Sequence, residues 1–398
     1  MLATAFRGSY SVECRSQRIS EVSVASPTRN RTTCTVYDHS FSWSSCALSV
    51  SEGMVMNMKE AVVTGPQKFE IREVPVPVPG DGEVLVQMKA AGVCGSDFHL
   101  FLGENPNAIY PRVPGHENAG VVVEVGKNVE SIKPGDAVVI DLVVACGHCP
   151  QCLSGRRNIC RTVKARGSAI DGGWREYLAV PEHEVFLLPS EISFREAALI
   201  EPFAIGGHCA ARAGVRGDEL ALILGSGTIG AVILQTLKQK GCRAICADIN
   251  ESSLERAKNY GADYLINTRT HNLKEEIQRI TDGAGVNLIF DSACYSGSLT
   301  ELMQQGIPAN GATIVPMGFN TDYEEISQAM INARELSIIG TRMSSGQFEP
   351  TIKKFELKQF TLDGMVSHYI PFDNIEQVFE NMLHPVTDMK KMVIEFGV

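Results

Sequence analysis

Residues 219–232 read ELALILGSGTIGAV, an apolar run that stops at Gly225 and resumes after Gly230. Gly225, Gly227 and Gly230 form G-x-G-x-x-G, a pattern that by itself also describes an ordinary tight turn. Here it follows a strand-like run and opens a helix-like one. In that context glycine permits the turn and lets a pyrophosphate approach the backbone N–H groups of the helix N-terminus, where Thr228 and Ile229 lie. A second apolar run, ICADIN (245–250), ends at Asp248, eighteen residues beyond Gly230. A carboxylate there can hydrogen-bond both hydroxyls of an adenosine ribose and would repel a 2′-phosphate. The two signals together predict a dinucleotide site for NAD.

Around this stretch the chain alternates helix and strand: CRAICAD, DYLIN, NLIFDSA, ATIVPMG and LSIIGT are separated by helical segments reaching Lys240, Tyr260 and about Ile280. That order predicts a doubly wound α/β unit with a parallel sheet. Upstream, from Glu60 to about Pro189, the texture differs. Short β-runs (AVVTG, EVLVQMKAAGV, AGVVVEVG, DAVVIDLV, EYLAVPEHEVFLLP) are punctuated by Gly and Pro and predict a compact, irregular β-barrel-like domain. The last fifty residues add a helix and a closing strand, KKMVIEF. The expected division is 1–57, 58–205, 206–340 and 341–398, the last segment returning to the catalytic domain.

Residues 1–57 are rich in Ser, Thr and Arg, lack sustained periodicity and end near Met54, Met56 and Met58. They read as an upstream start chosen in error, a disordered extension, or an organellar targeting peptide; Glu13 and Glu21 weigh against the last. The whole chain has 398 residues, 44% of them hydrophobic and 21% charged, which suits more than one core. Its net charge of −10 argues against a general affinity for nucleic acid or anionic lipid, and no apolar run has the length of a membrane span. Small molecules are the expected partners.

The twelve cysteines are unevenly spread, with five between Cys94 and Cys160. Clustered thiols in a large chain point to metal rather than to disulfides, and so to a reducing, cytoplasmic compartment. Cys146, Cys149, Cys152 and Cys160 follow C-x2-C-x2-C-x7-C, close enough for four thiolates to surround one Zn²⁺. A filled shell leaves no position for substrate, so this zinc is read as structural, and His148 within the loop as solvated. A second set is dispersed: Cys94 in GVCGSDFHLF, His116 and Glu117 in PGHENAG, and Glu201 in ALIEPFAIGG, an acid among apolar residues. Each alone also suits a core residue. Three such ligands plus an exchangeable water would describe a catalytic zinc.

With CGSD, GHENAG, the four-cysteine loop, EPFA and GSGTIG in hand, residues 58–398 resemble the zinc-dependent medium-chain dehydrogenases, in the branch of sorbitol and threonine dehydrogenases. YPRVPGHE, DGGWREY, ALIEPFAI, IFDSAC and ELSIIGTR look more narrowly like bacterial dehydrogenases of hexonates such as L-gulonate and L-galactonate. The resemblance implies a Rossmann sheet plus a GroES-like β-barrel catalytic domain, two zinc ions per subunit, NAD, and a homodimer or homotetramer. It places the catalytic zinc on Cys94, His116 and either Glu117 or Glu201, and a proton relay on Ser96 and His99. Nicotinamide contacts fall on Pro316, Met317, Gly318 and Arg342. Pocket aromatics of sorbitol dehydrogenases fall on Leu100 and Met343, and an arginine after the ribose-binding acid falls on Ser253. The first two departures count against sorbitol; the third agrees with NAD.

The expected activity is hydride transfer from a secondary hydroxyl of a sugar acid or polyol to NAD, a hexonate being favoured. A hexonate needs a cation for its carboxylate, with Arg342, Arg112 and Lys164 as candidates. Alternatives are a sorbitol or galactitol dehydrogenase, an L-threonine 3-dehydrogenase, and outside catalysis an NAD-binding regulatory protein or a zinc-ribbon interaction module.

Overall fold

The computed structural model describes residues 20–24, 32–36, 56–105, 108–319, 321–384 and 389–397. In the N-terminal unit Ser20–Val24 and Thr32–Val36 pair antiparallel. The remaining expectations for residues 1–55 lie outside the described residues. The larger unit, Val55–Val398, contains the residues of both expected domains.

Six parallel strands, Leu220–Leu224, Arg243–Asp248, Tyr264–Asn267, Val286–Asp291, Pro308–Pro316 and Ser337–Ile338, form one sheet in the order 3-2-1-4-5-6. This is the order of the dinucleotide-binding doubly wound fold, in which ligands sit at the carboxyl ends of strands 1 and 4. The first strand, LALIL, is buried throughout because helices cover both faces. Helices Thr228–Gln239, Glu251–Asn259 and Leu273–Thr281 match the periodic segments of the sequence.

The upstream sheet is antiparallel apart from one pair. Its order is Val185–Leu187, Ala137–Ile140, Glu117–Val125, Glu83–Gly92, Lys391–Glu395 and Val366–Pro371, with Tyr177–Pro181 also on Glu83–Gly92. The closing strand Lys391–Glu395 thus lies beside the central strand of the first β-unit. Nearby, the C-terminal helix Glu376–Leu383 inserts Phe379 between Phe69 (stacked at 4.0 Å), Phe101 and Trp174. Phe379, Phe101 and Trp174 are buried, so aromatic packing fastens the end of the chain to the first β-unit. Helix Ile200–Arg212 runs across the expected 205/206 boundary and packs on Thr228–Gln239 and Phe348–Glu356.

Candidate active site

The strand Glu83–Gly92 ends opposite the start of Glu117–Val125, with Gly92 facing Glu117. This register brings Cys94, just beyond one strand, beside His116, just before the other. One ligand atom each from Cys94, His116 and Glu117 lie within 4.8 Å of one another. Cys94 is half-buried; His116 and Glu117 are buried. Gly92 makes the approach possible, since a Cβ there would stand 1.9 Å from Glu117 Oε2.

Two residues that sequence reading gave no role hold this corner. Asp97, 2% exposed, accepts hydrogen bonds from Cys94 N–H (2.9 Å) and Gly115 N–H (3.2 Å), and its Oδ1 lies 3.7 Å from His116 Nδ1. One carboxylate therefore ties both ligand loops and faces the imidazole, as outer partners of metal-binding histidines do. Its signal was available: Asp97 stands three residues after Cys94 at a helix start, where an acid commonly bonds the capping residue's N–H. Lys391, from the C-terminal strand, is 4% exposed and donates to both Glu117 oxygens (2.6 and 2.5 Å) and to Val93 O (3.1 Å). It is 274 positions from Glu117, and nothing local marked it.

Glu201 lies in the first turn of helix Ile200–Arg212, 4% exposed, outside the 4.8 Å group yet within its field. Burial pushes its carboxyl up to about 8, against His116 and with Glu117. Burial likewise raises Asp97, against His116. At His116 burial opposes charge, but Asp97, Cys94 and Glu201 outweigh it and hold the imidazole well above its usual range. Without a cation, the raised Glu201, Asp97 and His116 favour holding protons, which limits the charge buried here. A dication can replace those protons, and the donor types are those of a three-ligand zinc centre. The residues fit zinc.

In the second site the sulfurs of Cys146, Cys149, Cys152 and Cys160 lie within 4.8 Å of one another. Cys160 Sγ accepts from the N–H groups of Cys146 and Thr162 (3.4 Å each), which pull that thiol down to about 5. Such bonds suit a thiolate ligand. Around the sulfurs only Ala145 and Val163 supply other apolar packing, and the strands Val143–Val144 and Lys164–Ala165 close the base of the loop. A lobe with so little core fits a metal as its centre. His148 is exposed and bonds Cys146 O (2.7 Å).

At the parallel sheet Gly225 has φ 82°, and a Cβ on it would press Ala293 N at 2.9 Å. A Cβ on Gly230 would meet Gly225 O at 2.0 Å, whereas one on Gly227 would meet nothing within 4 Å. The turn is thus closed on the protein side and open before helix Thr228–Gln239, a fit for a pyrophosphate. Asp248 accepts from Ser226 N–H (2.7 Å) and Asn250 N–H (2.8 Å), leaving acceptor capacity on both oxygens for a ribose. Ser253 is buried, and the neighbouring Arg256 is engaged with Ser252 O and Ser253 Oγ (3.0 Å each).

Pro316, Met317 and Gly318 end the fifth strand, with Met317 N–H on Asp291 O (3.1 Å). Arg342 is exposed, and its backbone is pinned: Asn158, in the four-cysteine lobe, donates to Arg342 O at 2.8 Å and lies 3.2 Å from His208 Nε2. Ser345 Oγ donates to Gly155 O (2.7 Å), a second tie from this segment to the lobe.

A cleft of about 430 Å³ joins the two halves: Cys94, Phe98, His99 and Glu117 meet Thr228 and Ile229 of the glycine turn. Ser96 is exposed three residues before His99 on helix Gly95–Leu102, so the two share a face. His99 Nδ1 lies 2.7 Å from Glu104. Leu100 corrects an expectation. It is 1% exposed and faces the core, while Phe98 supplies an aromatic wall, so Leu100 is no argument against sorbitol.

Residues 80–190 match the alcohol dehydrogenase GroES-like domain, and residues 228–356 the zinc-binding dehydrogenase family. The starvation-sensing protein RspB of Escherichia coli K12 is 37% identical over 80% of this chain and 93% of its own. A sorbitol dehydrogenase of Bacillus subtilis is 37% identical over 60% of this chain and 69% of its own. The L-galactonate-5-dehydrogenase of Escherichia coli K12 is 29% identical over 85% and 99%. The solved structure of RspB from Escherichia coli CFT073 with NADH superposes with a TM-score of 0.80 at 34% identity, covering 85% of this chain and 99% of that one. No described helix is long and apolar enough to cross a membrane.

Proposed function

Given that the chain belongs to the zinc-binding alcohol dehydrogenase family, we propose that it oxidises a secondary hydroxyl of a sugar acid, with a hexonate such as L-gulonate or L-galactonate favoured and NAD as acceptor. It is an NAD(P)-dependent oxidoreductase of the alcohol and polyol class. One observation carries the reading: Cys94 and Glu117 of the Cys94–His116–Glu117 group line the same cleft as Thr228 and Ile229 of the glycine-rich loop. Asp248 favours NAD over its 2′-phosphorylated form.

Bound zinc supplies Lewis acidity, which lets an alcohol release its proton near neutral pH, and the dinucleotide accepts the hydride. The chain's own residues position and relay. Asp97 orients Cys94 and His116, and Lys391 orients Glu117. Each Glu117 oxygen accepts from Lys391 and keeps further lone-pair capacity, so Glu117 can serve a metal while Lys391 holds it. Ser96 takes the substrate proton, and His99, at the cleft mouth beside Glu104, passes it toward solvent. Phe98, Leu102, Pro202 and Ile229 form apolar wall that limits water.

The hexonate preference is supported by the loop motifs and by the L-galactonate enzyme's likeness over nearly its whole length. Sorbitol or galactitol is the second reading, supported by Phe98 and by the sorbitol dehydrogenase relative. Thiols grouped as metal ligands suit a reducing cytoplasm, and assembly as a homodimer or homotetramer belongs to the same proposal. The test is NADH formation by zinc-loaded protein on L-gulonate, L-galactonate, D-mannonate, sorbitol, galactitol and L-threonine. Turnover of hexonates alone upholds the proposal; turnover of threonine or neutral polyols alone replaces its substrate.

A further inference from the structure

We infer that Lys390 is the group that receives the anionic end of the substrate, an inference resting on the dehydrogenase reading of the cleft. Three basic residues from the catalytic half line this cavity, His99, Lys390 and Lys391, together with the acids Glu104 and Glu117. Lys391 is committed to Glu117 and buried with it. His99 is paired with Glu104. Lys390 is half-buried, and among the described residues no carboxylate lies within ion-pair distance of its ammonium. Its backbone is anchored where it enters the wall, the N–H donating to Ser367 Oγ at 3.0 Å.

A cation in a partly desolvated cleft that has no counter-ion among the described residues is satisfied most directly by a ligand that brings the charge. The cations that sequence suggested do not compete for this role. Arg112 is paired with Asp171 at 2.8 Å, Lys164 belongs to the four-cysteine lobe, and Arg342 is an exposed residue of the pinned segment; none lines the cleft. Lysine presents a compact point charge without the bidentate fork of arginine. It suits a terminal carboxylate or a terminal phosphate alike. The ligand class is therefore a polyhydroxylated chain with one anionic end at Lys390 and its reacting hydroxyl at the Cys94–His116–Glu117 corner.

The experiment compares wild type, Lys390→Met and Lys390→Arg, zinc-loaded, by NADH formation on L-gulonate and L-galactonate, on galactitol 1-phosphate, and on neutral galactitol and sorbitol. In Lys390→Met the ratio of kcat/KM for anionic over neutral substrates falls at least about tenfold, mostly through KM, and Lys390→Arg restores most of it. A fall on hexonates identifies the carboxylate as the anion, and a fall on the phosphate ester alone identifies the phosphate. An unchanged ratio, or a wild type that oxidises only neutral polyols, overturns the assignment of Lys390 and leaves the dehydrogenase reading standing. Absence of NADH formation on every compound overturns both.

Discussion

The two candidate metal-binding groups of this protein are built in opposite ways. In the zinc lobe all four sulfurs come from residues 146–160, joined by a loop that needs no distant partner to bring them together. In the cleft, Cys94 and His116 meet only because Gly92 pairs with Glu117, and Glu117 is held by Lys391 from the other end of the chain. The lobe's cohesion is local chelation; the cleft's is sheet register and buried charge. Damage to the first should therefore remain local, whereas damage to the second should reach the whole catalytic unit.

Cys160→Ser puts the largest effect on this contrast. Structural zinc contributes on the order of 10–16 kcal/mol in small zinc domains, so losing one thiolate should unfold the lobe. Metal analysis should fall from two zinc ions to one, with proteolysis confined to residues near 146–163. Unfolding of the entire chain would show that the lobe is not local after all. Next, Lys391→Met leaves Glu117 buried without its ammonium, at a cost of about 3–5 kcal/mol. Urea denaturation of metal-stripped protein measures this; a loss under about 1 kcal/mol would refute the role given to the pair.

Asp97→Asn keeps the shape but removes the charge facing His116. Outer partners of this kind change metal affinity or activity by about 10–100-fold, so turnover should fall while the lobe's zinc remains. Equal loss of both metals would contradict separate construction. The smallest effect tests the tie between the lobe and the segment of Arg342. Asn158→Ala removes the bond to Arg342 O, worth about 1 kcal/mol, and should raise KM for NAD several-fold with little change in kcat.

The same junction carries a pH signature. Burial, with Arg212 and Arg156, depresses His208 to about 4. The unfolded chain protonates this histidine near its ordinary value of about 6.5, so its contribution to stability is present above that pH and is lost as pH falls toward 4. His208→Gln should flatten this part of the stability profile in thermal unfolding between about pH 4 and 6.5. An unchanged slope would mean that another group controls it.

Legibility follows the same division. The four-cysteine loop, the glycine turn with Asp248, and the alternation after Glu201 were readable because each is a contiguous pattern whose spacing already implies its geometry. Cys94, His116, Glu117 and Glu201 could be grouped by residue type, but each alone also suited a core position, so resemblance added the weight. Asp97 had a local signal in its capping position, whereas Lys391 and Lys390 had none. Leu100 was misplaced toward the cleft because alignment gives a position in the chain, not the side of a helix that faces the cavity.

By itself the sequence determined the four-cysteine loop, the glycine turn and a parallel α/β sheet, since these depend on spacings of a few residues and on periodicity. Only the tertiary structure decided that the C-terminal strand lies against Glu83–Gly92, that Lys391 holds Glu117, and which cations face the cleft. Pairings across hundreds of residues depend on which buried faces and charges satisfy one another at once, and no short stretch of sequence contains that condition.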